Sequence, residues 1–260
     1  MRTIDHTRRG RRRRTGLART FAFLPLLALA LSACTFGEQS GATAQGQDMA
    51  HLYQLLFWTA IPVAGIVYLL IFWSIIRYRA RGEDRGFPKQ TRYHVPLEVT
   101  YTVIPVLIVI GLFIATYRTE AKVDAVVPHP AVVVNVSAYQ WQWSFDYPSR
   151  GYTIFGTPRH FPTMVVPAGE TVQINLVSQD VVHGFYVPAF LFQRLAIPGV
   201  TNRFDFRVDR PGVWRGQCTY FCGIDHAQMI FYVRALPPAQ FQQWLAAQRP
   251  GITTTGGATA

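Results

Sequence analysis

The fold and chemistry of this chain follow from one segment, Gly216-Gln-Cys-Thr-Tyr-Phe-Cys-Gly-Ile-Asp-His-Ala-Gln-Met229. Its metal-binding side chains are the thiols of Cys218 and Cys222, the imidazole of His226 and the thioether of Met229. Soft sulfur together with imidazole suits copper, and a weak methionine ligand is typical of copper sites. The segment therefore predicts a copper site on a loop between two strands.

A further ligand is expected from elsewhere in the chain, and His183 is the best candidate. It lies in Asp180-Val-Val-His-Gly-Phe-Tyr-Val-Pro188, near the end of a predicted strand. An upstream histidine, followed by cysteine, histidine and methionine in a late loop, is the ligand order of cupredoxin sandwiches. Because two thiolates can bridge two metal ions, the paired cysteines predict two copper ions. His183, Met229, His226 and a backbone carbonyl would complete the coordination of both ions.

Three other interpretations of these residues remain open. In an oxidising compartment Cys218 and Cys222 would form a plain disulfide. A structural zinc site would use both cysteines with His183 and His226, and it would leave Met229 without a role. His183 alone is also typical of a buried, hydrogen-bonded histidine. The joint occurrence of all five side chains in one domain favours copper.

The region 131–248 around this segment is predicted to be an all-β, cupredoxin-like domain. Strands are expected at 131–137, 171–177, 181–187, 203–208, 213–217 and 230–234, with Gly and Pro between several of them. About 110 residues of short strands indicate a sandwich or barrel. A short helix at 238–248 closes the domain. The tail 249–260 is rich in Gly and Thr and is predicted to be disordered.

Two uncharged runs within 51–118 predict a transmembrane helical hairpin upstream of this domain. Helices are expected at about 52–77 and 97–117, and a rise of about 1.5 Å per residue lets each cross the hydrocarbon core. The connecting loop 78–95 is basic, which places it in the cytoplasm. Both outer ends of the hairpin are then extracytoplasmic, and a linker at 119–130 leads into the β-domain.

The net charge of +11 does not indicate a nucleic-acid partner. Residues 1–33 carry +7 and residues 77–92 carry +4, so the rest of the chain is neutral. A nucleic-acid-binding protein concentrates positive charge on its folded domain. Here the charge lies where membrane topology explains it.

The N-terminal segment 1–33 is predicted to be an export signal. An Arg-rich start leads into an apolar run, Phe21–Leu31, that is too short to span a bilayer comfortably. The run ends in Leu31-Ser-Ala-Cys34, which resembles the lipobox of bacterial lipoproteins and implies a lipid-modified Cys34. Ordinary signal cleavage near a chance cysteine is the alternative. Residues 34–50 are predicted to be a flexible tether.

Several motifs, in order along residues 51–248, resemble subunit II of cytochrome c oxidase, in its bacterial lipoprotein form. They are the copper segment, Tyr93–Pro105, Tyr139-Gln-Trp-Gln-Trp-Ser-Phe-Asp-Tyr147, Asp180–Pro188 and Ala196-Ile-Pro-Gly199. The resemblance implies a binuclear copper A domain in a bacterial cell membrane. It also implies partners, namely oxidase subunits I and III and cytochrome c or a cytochrome c domain. Electrons would pass to haem in subunit I, where oxygen is reduced to water with proton translocation.

The resemblance also assigns roles by position. For copper it implies bridging thiolates at Cys218 and Cys222, imidazole ligands at His183 and His226, a thioether at Met229 and a backbone carbonyl at Tyr220. It further implies that electrons enter at Trp141 and that the Glu98 carboxylate lies near a proton-uptake path. From the residues alone, Trp141 and Trp143 are typical of packing on one strand face. Glu98 alone would mark the start of a helix.

One position departs from the family pattern. Residue 220 is usually Glu, whose side chain reaches a magnesium ion at the interface with subunit I. Tyr220 is a poor magnesium ligand, because hard cations prefer carboxylate and water oxygens. The interface magnesium is therefore doubtful, whereas the backbone carbonyl for copper is unaffected.

Three related functions fit the sequence less well. A quinol oxidase subunit has lost its copper, whereas all five ligand side chains are present here. A copper-delivery lipoprotein would not need a two-helix hairpin. Nitrous oxide reductase needs a propeller domain for which 260 residues leave no room.

Overall fold

The computed structural model describes residues 41–79, 90–157 and 160–253, which form a helical hairpin followed by a β-sandwich. The predicted signal at 1–33, Cys34 and the start of the predicted tether lie outside the described residues. So do residues 80–89 of the predicted cytoplasmic loop and the chain after Thr253.

The two apolar runs form helix α1, Ala44–Arg77, and helix α2, Val95–Val123. Each has a mean hydropathy of 2.3 over an 18-residue window, and the side chains of that window are exposed in the isolated chain. By length and composition both helices are able to cross a membrane. Each has one proline in its interior, Pro62 or Pro105, which membrane helices tolerate. The hairpin prediction is confirmed, although both helices extend beyond their predicted ends.

Helix α1 begins earlier than predicted because its first residues are docked on the β-domain. The Thr43 side chain caps the helix by accepting a hydrogen bond from the Gly46 N–H at 2.9 Å. The Ala42 N–H donates to the Ala189 carbonyl at 2.7 Å. The predicted flexible tether is therefore wrong for residues 41–50.

The small side chains of this segment, which indicated a tether, are what allow the docking. A Cβ atom on Gly46 would lie 2.5 Å from the Phe190 carbonyl oxygen, so only glycine permits the observed approach. Two ion pairs hold the same end of the hairpin. Lys122 pairs with Asp48 at 2.6 Å, and Arg194 of the β-domain pairs with Asp124 just after α2.

The β-domain consists of two sheets. The first has the strand order β11-β3-β2-β1-β5-β8, formed by Gly251–Thr253, Tyr152–Phe155, Gln142–Tyr147, Val132–Tyr139, Thr171–Ser178 and Asn202–Arg207 respectively. The second has the order β4-β10-β9-β6-β7, formed by Thr163–Pro167, Ile230–Leu236, Gly212–Cys218, His183–Val187 and Phe192–Ala196. Each of the six predicted strands is present, whereas β2, β3, β4, β7 and β11 were not predicted.

The C-terminal end of the described chain agrees only in part with the sequence. The predicted closing helix is α3, Pro238–Ala247. The predicted disordered tail is wrong for Gly251–Thr253, because this segment adds a parallel edge strand to β3. Backbone pairing with β3 supplies the order that a Gly- and Thr-rich composition does not.

Aromatic side chains fill the space between the two sheets. Trp143 of β2 contacts Phe231 of β10 with ring centroids 5.2 Å apart, and Phe185 of β6 stacks on Phe231 at 4.7 Å. All three side chains are fully buried. A Cβ atom on Gly216 would come within 2.2 Å of the Phe231 ring, so glycine is needed on β9. This aromatic core supports the end of β9, where the predicted metal segment begins.

Replacing Gly46 by alanine is expected to lower the free energy of unfolding of the full-length chain by about 1–3 kcal/mol. The added methyl group would overlap the Phe190 carbonyl oxygen. Thermal unfolding of the chain in detergent measures the change. Gly65→Ala in the same helix is the matched control, because a Cβ atom there has no neighbour within 4 Å. Equal stability of the two variants would contradict a docked start of α1.

Candidate metal centre

Strand pairing brings His183 beside Cys218, although the two residues are 35 positions apart. Strand β6 runs antiparallel to β9, with Phe185 opposite Cys218. The Thr219 N–H donates to the Gly184 carbonyl at 3.2 Å, which continues the pairing. A Cβ atom on Gly184 would lie 2.5 Å from the Thr219 hydroxyl oxygen, so glycine permits this approach. As a result, His183 Nδ1 lies 4.0 Å from Cys218 Sγ.

The loop after β9 folds back and brings the remaining predicted ligands to the same point. Its ends are joined by a hydrogen bond from the Cys218 N–H to the Met229 carbonyl at 3.0 Å. Cys222 Sγ lies 3.9 Å from Cys218 Sγ, 3.4 Å from His226 Nδ1 and 3.8 Å from Met229 Sδ. The Tyr220 carbonyl oxygen lies 3.3 Å from Cys218 Sγ. The structure thus brings together every position predicted to bind copper.

The donor atoms fit a metal ion better than a disulfide. Both cysteines are free thiols, and their sulfur atoms are 3.9 Å apart, whereas a disulfide bond is about 2.05 Å long. Since a metal–thiolate bond is about 2.3 Å, one ion is able to contact both sulfur atoms. The Met229 thioether is fully buried and faces Cys222, which a zinc site would leave unused. This donor set favours copper.

The His183 ring is held in one orientation. It is fully buried, and its Nε2 lies 2.8 Å from Asp180 Oδ1, which leaves Nδ1 facing Cys218. A carboxylate that holds the second ring nitrogen is a common support for a metal-binding histidine. Asp180 is not among the site residues predicted from the sequence, although a carboxylate three residues before a predicted ligand is a usable signal.

Burial and the neighbouring charges act differently on the two thiols. Burial, aided by the adjacent Cys218 thiolate, raises the pKa of Cys222 to about 12. Burial also acts to raise the pKa of Cys218, but hydrogen bonds with the His183 ring and the Gly184 N–H outweigh it and lower the pKa. Desolvation acts to lower the pKa of His183, and hydrogen bonds with Cys218 and Asp180 raise it overall.

These shifts make Cys218, beside His183, the more acidic of the two thiols. Cys222 keeps its proton at neutral pH. A metal ion binds thiolates rather than thiols, so metal loading displaces the Cys222 proton and is favoured as the pH rises.

The two neighbouring tryptophans occupy different places. Trp141 lies in the turn between β1 and β2, half-buried, and its Nε1–H donates to the Cys222 carbonyl at 3.1 Å. Trp143 lies in β2 and belongs to the aromatic core. The two do not share a strand face, because β2 begins only at Gln142. Both tryptophans touch the metal-binding segment, but at different points: Trp141 contacts the Cys222 carbonyl, whereas Trp143 Nε1 donates to the Met229 carbonyl at 3.4 Å from within the core.

Glu98 lies at the opposite end of α2 from the β-domain, roughly 40 Å away along the helix axis. Its Oε1 accepts a hydrogen bond from the His94 N–H at 3.0 Å, and His94 Nδ1 accepts one from the Leu97 N–H at 3.3 Å. This reciprocal arrangement caps the helix. The structure therefore gives Glu98 a capping role and does not bring it to the metal centre.

Comparison with known proteins identifies two matched regions. A family model described as "Cytochrome C oxidase subunit II, transmembrane domain" matches residues 32–119. A second, "Cytochrome C oxidase subunit II, periplasmic domain", matches residues 160–236.

Individual relatives carry related names. A probable cytochrome c oxidase subunit 2 of Streptomyces avermitilis is 33% identical over 80% of this chain and 77% of its own length. A probable cytochrome c oxidase subunit 2 of Nocardia farcinica is 30% identical over 93% of this chain and 82% of its own length. Among solved structures, the periplasmic domain of subunit II of cytochrome oxidase from Bradyrhizobium japonicum is 31% identical. It covers 46% of this chain and 95% of its own, with a TM-score of 0.42.

Proposed function

This chain belongs to the cytochrome c oxidase subunit II family, and we propose that it binds two copper ions at the cluster around Cys218 and Cys222. It is the subunit through which electrons enter a haem-copper oxidase, and it is a membrane protein with a periplasmic domain. The copper proposal depends on one observation. The sulfur atoms of Cys218 and Cys222 lie 3.9 Å apart at one end of the β-sandwich. Two imidazole nitrogens, the Met229 sulfur and the Tyr220 carbonyl oxygen each lie 3.3–4.0 Å from one of these sulfur atoms. When bound, the copper pair supplies a reversible one-electron carrier.

The finer assignments are part of the same proposal. The electron donor is cytochrome c, or a cytochrome c domain of a neighbouring complex. The acceptor is haem in subunit I, where oxygen is reduced to water with coupled proton translocation, and subunits I and III are the partners in the membrane. The binding residues of this chain suit electron transfer rather than substrate chemistry, because His183 and Met229 are fully buried and leave no room for a substrate.

Tyr220 contributes its backbone to this site and its side chain to the surface. The side chains of Tyr220, Phe221 and Ile224 are exposed, the last two at 80% and 87%. We propose that this surface faces subunit I and that Tyr220 leaves the interface magnesium weakened or absent, because a neutral hydroxyl replaces a charged carboxylate. Metal analysis of the assembled oxidase tests this. On the basis of the family resemblance, we also propose that the Glu98 carboxylate lies near a proton-uptake path in subunit I.

The full-length chain, purified in detergent and loaded with copper, is expected to hold two copper ions. Electron paramagnetic resonance should show one electron shared by two copper nuclei. Cys218→Ser and Cys222→Ser should each abolish this signal, because each removes a bridge. Met229→Leu should retain copper and shift its reduction potential, since the thioether is a weak ligand. Tyr220→Phe, which keeps the backbone carbonyl, is the control and should bind copper normally. A signal from a single copper nucleus would contradict the proposal.

Electrons are proposed to enter at Trp141, whose indole reaches the Cys222 carbonyl from the surface side of the site. Trp141→Gln is expected to slow reduction by cytochrome c in the assembled oxidase while leaving the copper spectrum intact. Stopped-flow reduction kinetics measure the effect. Unchanged turnover with the native donor would mean that Trp141 only packs against the loop.

We propose a lipid anchor at Cys34, supported by the sequence Leu31-Ser-Ala-Cys34. Mass spectrometry of the mature chain purified from membranes is expected to find an acylated N-terminal Cys34. An unmodified N-terminus at another residue would show that the hairpin alone anchors the protein.

A further inference from the structure

The turn between β1 and β2 touches the loop that carries Cys222 through two hydrogen bonds. Gln140 Nε2 donates to the Cys222 carbonyl at 2.7 Å, and Trp141 Nε1 donates to the same oxygen at 3.1 Å. Both donors are more than eighty residues away from Cys222 in sequence. A carbonyl oxygen has two lone pairs, so these two donors satisfy it fully.

The backbone of the same turn is tied to the other half of the centre. The Gln140 N–H donates to Asp180 Oδ2 at 2.6 Å. The second oxygen of this carboxylate accepts from the Val181 N–H at 2.6 Å and lies 2.8 Å from His183 Nε2. One residue, Gln140, therefore reaches both proposed ligand segments: its side chain contacts the loop of Cys222, and its backbone connects through Asp180 to His183.

Gly223 allows the turn to lie this close to the loop. Its φ of +125° is in the region that favours glycine. A Cβ atom there would come within 2.9 Å of Trp141 Nε1 and 3.2 Å of Gln140 Nε2. The hydrogen bonds and the missing side chain act together, which distinguishes this contact from a turn that merely passes the loop.

We propose that Gln140 is a positioning residue, which with Asp180 forms a clamp that holds the Trp141 turn against the metal centre. This inference rests on the proposed function, because the turn matters to electron transfer only if the centre binds copper. Gln140 donates no ligand. It keeps the indole at a fixed separation from the Cys222 segment, and rates that depend on such geometry are sensitive to displacements of about 1 Å.

The clamp is first tested without metal, by hydrogen exchange on the full-length, copper-free chain in detergent. Gln140→Met keeps the length of the side chain and the backbone N–H but removes the amide donor. Loss of one such hydrogen bond is expected to speed exchange about fivefold in peptides covering 139–142 and 219–226, with other regions unchanged. Gln179→Met is the matched control, because Gln179 is exposed, its side chain donates only a long hydrogen bond to Ser137 at 3.4 Å, and the substitution leaves its backbone N–H in place. Equal protection of both peptides in Gln140→Met and the parent would overturn the clamp.

The second test uses the assembled, copper-loaded oxidase. Gln140→Met is expected to keep the shared-electron copper signal and to slow reduction by cytochrome c about fivefold. Gln140→Glu, which places a carboxylate against the Cys222 carbonyl, should slow it further. Gln140→Asn, which retains the amide on a shorter side chain, takes the place of any variant that fails to assemble. Parental reduction rates in these variants would overturn the positioning role.

The two arms separate this inference from the proposed function. Absence of a two-copper signal in the unsubstituted chain would refute the copper proposal, and the exchange experiment would still decide whether Gln140 holds the turn. Normal copper binding with unchanged exchange and reduction would refute the clamp alone.

Discussion

The antiparallel pairing of β6 with β9 is the constraint on which the metal centre depends. It sets Phe185 opposite Cys218 and thereby brings the imidazole of His183 to a thiol far away in sequence. The aromatic core stabilises this pairing, because Phe185 of β6 stacks on Phe231 of β10, on the far side of β9. A slip of one residue would turn His183 to the other face of the sheet. The loop after Cys218 would then close around a site with one imidazole fewer.

The electrostatics of the centre follow from the same burial. Two thiols in a water-poor environment cannot both ionise easily, so the pKa of Cys218 is lowered beside His183 while the pKa of Cys222 is raised. A bound cation removes this conflict by neutralising both thiolates. The metal-free protein therefore holds a set of donors whose full charge is stabilised only when metal is present.

The β-domain is attached to the membrane hairpin by contacts that the composition of the sequence does not predict. Thr43 caps α1, and the segment before it is hydrogen-bonded to the β-domain. The ion pairs of Lys122 with Asp48 and of Arg194 with Asp124 link both helices and the sheet at the same level. Each exposed ion pair contributes little by itself. The backbone contacts and the close approach at Gly46 therefore add to the attachment of the β-domain to the hairpin.

The sequence by itself determined the features that local patterns encode. The length and apolarity of two runs predicted the hairpin, short runs between Gly and Pro turns predicted six strands, and the residue types around Cys218 and Cys222 predicted the donor set. The tertiary structure decided what depends on contacts between distant residues. It ordered residues 41–50 and the edge strand at Gly251–Thr253, which composition alone indicated to be flexible.

Tertiary structure also separated Trp141 from Trp143 and revealed the links through Gln140 and Asp180. The hydrogen bonds of Gln140 join residues 40 to 82 positions apart. They exist only once strand register and loop closure have set the backbone, and no periodicity or spacing along the chain encodes them.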